Sequence, residues 1–309
     1  MRVITLPEFG SPLELAEIDT PQPGAGEVRV RVHAASVNGF DLAVASGSLA
    51  DLMEHRFPVV LGKDFAGIVD AVGDGVSEYA VGDRVFGVVT KAHLGDGSFG
   101  EYVVVPASTG IALLPAQIDF ARGAALGLAG TAATAAVAAA GLSAGTTVLI
   151  VGATGGVGNQ AVQLAAATGA TVIATARTAL GVAQVRLLGA TEVVDHTQNL
   201  SAAVLEAHPD GVDVVLHFAG DAATVLPALR SGGRLVSTLL ASPDQVVADS
   251  VTVLPVYADP TTPVLTGLAE NLAAGRTSVT VQGSYALEDA AEALDDFESG
   301  ARGKLVILP

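Results

Sequence analysis

An α/β fold organised around a doubly wound parallel sheet is predicted for this chain by three observations. From about Pro115, apolar runs such as "TTVLIVG", "TVIATAR" and "VDVVLHFAG" alternate with helical segments such as "GNQAVQLAAATG" and "ALGVAQVRLLG". The runs are apolar throughout, as strands covered on both faces must be. Between the first run and its helix lies the glycine-rich turn "GATGGVG", Gly152 to Gly158, a tight strand-to-helix connection inside a βαβ unit. Together these features read as a Rossmann-type domain.

The elements follow in chain order. From Met1 to about Leu114 the pattern is β-rich. "EVRVRVHAASV" alternates apolar and polar residues with period two, and "FAGIVDAVG", "DRVFGVV" and "GEYVVVP" are further strands. Gly73, Asp74, Gly75, Gly82 and Asp83 punctuate them as turns. The Ala-rich segment Phe120 to Leu142 carries one charge, Arg122. Its length reaches the roughly 20 residues of a membrane span. Gly123, Gly127 and Gly130 interrupt it, and two packed soluble helices are expected instead.

Beyond the alternating strands and helices, "EVVDH" is a short strand, "DAATVLPALRSGG" a helix and "RLVSTLL" a strand. After about Ala241 the alternation weakens. "YALEDAAEALDDFESG" predicts an amphipathic helix and "GKLVILP" a terminal strand. The expected organisation is a first domain over residues 1–114 and a dinucleotide-type domain over 115–241. Residues 242–309 are expected to return and complete the first domain.

Composition narrows the function classes. Half of the 309 residues are hydrophobic but only 4% are aromatic, so the core must be built from Ala, Val, Leu and Ile. A formal charge of −17 repels phosphate backbones and argues against nucleic-acid binding. With no cysteine, disulfides and thiolate metal sites are excluded. The apolar run in "MRVITLPEFG" is too short for a signal peptide. A cytoplasmic protein without membrane association is expected.

In the G-x-G-x-x-G register of the turn, Ala153 stands for the first glycine, while Gly155 and Gly158 keep the other two. Gly155 lets the backbone approach a pyrophosphate, and Gly158 lets the helix pack closely on the strand. The amides of the segment Gly152, Ala153, Thr154, Gly155, Gly156, Val157 and Gly158 then face an anion, aided by the helix dipole. The Thr154 hydroxyl adds a donor. The alternative is a turn with no ligand.

NAD sites place an acid about 20 residues further on, at the next strand end. This chain has Arg177 there, with Thr175 and Thr178 nearby. A guanidinium suits a 2′-phosphate, which favours NADPH; the alternative is a solvated loop arginine. Phe218, Ala219 and Gly220 end one later strand, and Ser237, Thr238 and Leu239 another. Such ends face the ligand crevice in open α/β sheets. The chain contains no G-x-x-x-x-G-K-[ST], G-x-S-x-G or H-E-x-x-H. None of its four tyrosines has a lysine four residues later, which argues against the short-chain dehydrogenases.

Nearly end to end, the chain resembles a medium-chain dehydrogenase/reductase of the zinc-independent quinone oxidoreductase type. "PQPGAGEVRVRVHAASVNGFD", "FPVVLGKDFAGIVDAVGDGVSEYAVGDRVFG", "GSFGEYVVVP", "LAGTAATAAV", "GATGGVG" and "GKLVI" fall in the family's order. The resemblance implies a GroES-like catalytic domain from the two chain ends, a central Rossmann domain, a cleft between them, and a homodimer. It implies cleft positions for Asn38, Asp41, Lys63 and Asp64, and an approach of Thr131 to the nicotinamide. Each has an alternative. Asn38 and Asp41 would only shape a turn, Asp64 form a structural ion pair, and Thr131 cap its helix.

Zinc-dependent relatives carry an early Cys and a G-H-E block. Asn38 and "GKD" stand there in this chain, the four-cysteine lobe is missing, and no histidines pair at metal-ligand spacing. No metal is therefore expected. Many relatives place a tyrosine shortly after the Asn-x-x-Asp block, whereas this chain reads "NGFDLAVASG". Phe40 and Phe57 offer apolar contact for a flat ring; the alternative is a place in the core. The function expected is NADPH-dependent reduction of a small-molecule quinone or enone. The alternatives are a biosynthetic enoyl reductase and a non-catalytic NADPH-binding sensor.

Overall fold

Six strands pair in one parallel sheet in the computed structural model of the chain, which describes residues 1–248 and 250–309. Their order is Glu192–Val194, Thr171–Thr175, Thr147–Val151, Val212–His217, Leu229–Ser237 and Thr252–Pro255. The chain runs outward from the central strand in one direction, then returns and runs outward in the other. This is the Rossmann order, with its switch point between Thr147–Val151 and Val212–His217.

The two faces of this sheet feed two separate cores. Val148, Ile150, Val172, Ala174, Val214, Leu216 and Val236 pack on one side against helices Gly156–Ala167 and Ala179–Leu187 and against Ala133, Ala136 and Ala140. Leu149, Val151, Ile173, Val215 and Leu235 pack on the other against helix Leu200–Ala207 and Ala222, Val225 and Ala228. A strand with period-two side chains must be apolar at every position to serve both. Each fully buried Val, Leu or Ile contributes about 1.5–3 kcal/mol.

Ala132–Asp259 forms this unit; Met1–Thr131 and Pro260–Pro309 form the other. In the latter, a seven-stranded sheet has the path Val281–Ala286, Lys304–Leu308, Glu27–Ser36, Asp64–Val72, Arg84–Val88 and Ile111–Leu113, with Tyr102–Pro106 paired to Glu27–Ser36. The terminal strand pairs antiparallel with Glu27–Ser36, joining Val306 to Ser36 and Ile307 to Ala35. A four-stranded sheet adds Glu14–Glu17, Arg2–Leu6, Glu54–Val60 and His93–Asp96. The helix Gly39–Ala45 follows the long strand and sits over the same core, through Val44.

Several elements differ from the sequence reading. The Ala-rich segment is one helix, Phe120–Ala140, rather than two. Its glycines are contact points, not breaks: a Cβ on Gly127 would lie 2.6 Å from Asp64 Oδ1. By length and composition this helix would pass for a membrane span, but 67% of its most apolar window is buried within the chain. "DAATVLPALRSGG" forms two short 3₁₀ turns, Ala222–Thr224 and Leu226–Ala228, and then strand. Pro227 supplies no N–H and fixes φ, so a helix has no register to continue in. Tyr285 and Ala286 end a strand, and the helix begins only at Ala290. The boundaries read at 115 and 242 also differ from the units seen, because Thr252–Pro255 continues the parallel sheet.

Candidate active site

The β-rich unit buries a polar cluster. Asp64 opens its strand with no exposure to solvent. Its Oδ2 accepts from Ser36 Oγ at 2.6 Å and Asn38 Nδ2 at 2.9 Å, and its Oδ1 accepts from the helical Leu128 N–H at 2.7 Å. Lys304, which heads the terminal strand and is 3% exposed, lies 3.5 Å from the same carboxylate. Its ammonium donates to Val37 O at 2.7 Å and to Asn38 Oδ1. Strand pairing explains the convergence: Ser36 is opposite Asp64 on one side and Val306 on the other.

Asn38 therefore has its whole amide committed, with Nδ2 also donating to Ser36 O at 3.1 Å. Asp41, in the first turn of the short helix, accepts from Asn38 N–H at 2.8 Å through Oδ2. Both the turn-shaping and the ion-pair alternatives thus describe real contacts of these residues. Thr131 does not cap its helix: it sits in the interior, and its hydroxyl donates back to Gly127 O and Leu128 O, each at 3.0 Å.

Asp41 and Lys63 line a small recess with Phe40, Val44, Leu61 and Val89, and His93 and Asp96 complete its lining. Lys63 donates to Val89 O at 2.8 Å, and its ammonium lies 4.8 Å from the Phe40 ring centre. Burial pushes Lys63 below the usual lysine range, against the pull of Asp41 and Asp64. Burial likewise lowers Lys304 against the attraction of Asp64 and Asp41. Phe57 does not line the recess; it packs edge-on to Phe9 at 4.9 Å.

Burial is the largest influence on Asp41 and, with the neighbouring Asp64 charge, raises its carboxyl to about 7; the Asn38 N–H, Lys304 and Lys63 oppose it. The folded chain thus holds a proton that an unfolded Asp releases near 4. The stability from this group is complete below the ordinary carboxylate range and is lost as pH rises through about 7. The loss is on the order of 4 kcal/mol. Asp41→Asn keeps an acceptor for Asn38 N–H without titrating. Its stability relative to wild type is expected to rise between pH 4.5 and pH 8, read from urea midpoints. A difference independent of pH would refute the neutral carboxyl.

In the other unit, the glycine turn leaves the carboxyl end of the central strand and enters helix Gly156–Ala167. Gly155 caps that helix, and Asn159 N–H bonds back to its carbonyl at 2.8 Å. The amides of Gly156, Val157 and Gly158 are the first-turn donors that lack intrahelical acceptors. Gly152 has φ +81°, and its N–H donates to Thr175 Oγ at 3.0 Å. A Cβ on Gly152 would lie 2.9 Å from Ala219 Cβ, so the turn and the loop Phe218–Gly220 are neighbours. Ala153 is buried, Thr154 half-buried. Arg177 is exposed just past strand Thr171–Thr175. Leu239 is exposed, but Ser237 is fully buried and its hydroxyl engages His217.

Sequence reasoning missed Lys304, Ser36 and His217, and it named Thr175 only as a neighbour of Arg177, without its bond from Gly152 N–H. A lone cation heading an otherwise apolar terminal strand was the available signal for Lys304; small hydroxyl residues inside strands gave none.

Residues 24–116 match the family model "Alcohol dehydrogenase GroES-like domain", and residues 156–254 match "Zinc-binding dehydrogenase". These matches define a two-domain dehydrogenase-type oxidoreductase, with a GroES-like and a Rossmann unit. The quinone oxidoreductase of Lama guanicoe is 32% identical, across 100% of this chain and 97% of that protein. The solved quinone oxidoreductase of Escherichia coli, complexed with NADPH, is 27% identical with a TM-score of 0.88 and covers 100% of both chains. A mycocerosic acid synthase-like polyketide synthase of Mycolicibacterium smegmatis is 37% identical over 72% of this chain, but only 10% of that protein. The chain belongs to the medium-chain dehydrogenase/reductase superfamily, quinone oxidoreductase type.

Proposed function

We propose that this chain is an NADPH-dependent oxidoreductase that delivers hydride to a quinone or an activated alkene without zinc. The open backbone before Gly155 carries the reading. A Cβ there would meet nothing nearer than Gly152 O at 3.4 Å, at a helix N-terminus whose first amides are unpaired within the helix. Such a cradle fits a pyrophosphate. Gly155 to Gly158 would hold it, and Arg177 would take the 2′-phosphate. When bound, the reduced dinucleotide supplies the hydride.

A quinone or enone gains negative charge on oxygen as hydride arrives. The recess supports that chemistry with the apolar side chains of Phe40, Val44, Leu61 and Val89, with His93 and Asp96 also in its lining, and with the Lys63 ammonium, which would stabilise a developing oxyanion. Asp41 keeps a proton close to neutral pH within the same recess. Asn38, Asp64 and Lys304 hold the strand ends that carry these groups. Zinc does not fit this donor set. The chain has no cysteine, and among the described residues no three His, Asp or Glu side chains lie together as metal ligands.

Stopped-flow mixing of NADPH with a panel of small quinones and enones is expected to show acceptor-dependent NADPH oxidation. No oxidation with any acceptor, on folded protein, would refute the proposal. The match to a segment of a polyketide synthase favours a second acceptor class, biosynthetic alkenes; a saturated carbon–carbon bond in the product would single it out. Arg177→Asp is expected to weaken NADPH about tenfold or more, the scale of a lost charge-assisted contact, and NADH less than twofold. Equal losses for the two dinucleotides would remove the 2′-phosphate assignment.

A further inference from the structure

His217 and Ser237 end adjacent strands of the parallel sheet in direct register. Both are buried, at 1% and 0% exposure. His217 Nε2 lies 3.1 Å from Gly220 O and Nδ1 lies 2.9 Å from Ser237 Oγ. A carbonyl only accepts, so Nε2 carries the proton. Ser237 Oγ meanwhile accepts from Leu239 N–H at 3.1 Å and Leu240 N–H at 3.2 Å. A hydroxyl has two lone pairs and one proton. With both lone pairs taken, its proton must go to Nδ1, which must be bare. Every hydrogen in the chain Leu239/Leu240–Ser237–His217–Gly220 is thus assigned, and only the neutral imidazole satisfies it.

We infer that this neutral His217–Ser237 pair is a brace that positions the strand-end loops Phe218–Gly220 and Thr238–Leu240 for the dinucleotide, and that proton uptake by His217 releases it. The inference rests on the dinucleotide reading above. An imidazolium would aim a second N–H at a hydroxyl with no free lone pair, forcing Ser237 to give up Leu239 or Leu240. Burial pushes the His217 imidazole below the ordinary histidine range, opposed by the Gly220 and Ala219 carbonyls and by Asp221. Asp221 is the charged group acting on it from its own loop; the adjacent strands present Val151 and Ser237 in register. The segments packed on that face contribute Leu200, Val204, Ala222 and Val225.

His217 is a positioning residue in this scheme, so its variants must move binding and its pH profile. The probe is NADP⁺, titrated by calorimetry from pH 5 to 8. Its 2′-phosphate titrates near pH 6 by itself, so the quantity read is the ratio of wild-type Kd to that of His217→Asn at each pH. Asn retains an acceptor for Ser237 but takes up no proton. That ratio is expected to rise about fivefold on going from pH 8 to pH 5, while His217→Leu, with no acceptor, binds about tenfold more weakly than wild type at pH 8. Nitrogen-15 spectra of the imidazole, without dinucleotide, are expected to show the Nε2–H tautomer.

A flat ratio with tight wild-type binding, or an Nδ1–H tautomer, overturns this proposal alone. Folded wild-type protein that binds no NADP⁺ at any pH overturns the dinucleotide reading and this proposal together. Should His217→Leu fail to fold, Ser237→Ala replaces it: weakened binding with a flattened pH profile supports the brace, and wild-type behaviour overturns it.

Discussion

Asp64→Ala is expected to cost about 3–5 kcal/mol of stability, the range found when one partner of a buried ion pair is removed. The carboxylate is fully buried and serves four groups: Ser36 Oγ, Asn38 Nδ2, Leu128 N–H and the Lys304 ammonium. Truncation leaves a buried cation without its anion and three donors without an acceptor. Lys304→Met removes the cation and leaves Asp64 with its three hydrogen bonds, so it should cost less. Asp64→Asn combined with Lys304→Met removes both charges together. The pair is expected to lose about 1–3 kcal/mol less than the sum of its single variants. Three of the four tyrosines, Tyr79, Tyr102 and Tyr285, lie in this unit, and the chain has no tryptophan. Tyrosine emission during urea unfolding therefore reports mainly on this unit. Strict additivity of the two substitutions would show that Asp64 and Lys304 act independently.

How far the sequence revealed this arrangement depends on the range of the interactions involved. The parallel sheet was readable because its signal is local. Val148 to Val151 are apolar at each position, and the glycine turn announces itself within seven residues. The strand Glu27–Ser36 was equally plain from its alternation. Asn38, Asp41, Lys63 and Asp64 were singled out by resemblance, and they are near one another in the folded unit. Their partner Lys304 lies 266 residues beyond Asn38, and nothing local in "GKLVILP" states which strand it will pair with. His217 poses the same problem: it looks like an ordinary polar residue in a strand until register places it beside Ser237, a residue that its strand end alone singles out. Where local propensity misled, a backbone constraint or tertiary packing decided. Pro227 broke a helix that composition favoured, and close packing through Gly127 kept intact a helix that glycines were expected to divide.

Two glycines three residues apart in the turn should separate folding from binding. Gly158 is crowded: a Cβ there would lie 2.2 Å from Gly152 O and 2.6 Å from Ala153 Cα. Backbone atoms cannot swing aside as a flexible side chain does, so Gly158→Ala must displace the helix from the strand, at a cost of about 1–3 kcal/mol or more. Gly155 is different. Its φ of −79° is one any residue adopts, and its Cβ position is open but for Gly152 O at 3.4 Å. Gly155→Ala should therefore change stability by no more than about 1 kcal/mol, because the lower entropy of the unfolded chain is set against the poorer capping of the helix by Ala. The methyl would occupy the space through which a pyrophosphate reaches the first-turn amides. NADPH affinity is accordingly expected to fall by roughly tenfold or more, about 1.4 kcal/mol per factor of ten. Gly158→Ala would weaken binding too, but only along with the fold. A thermal melt and a fluorescence titration of NADPH on both variants read the two effects apart. Gly155→Ala protein that is as stable as wild type and binds NADPH as tightly would mean that this turn does not cradle the phosphates.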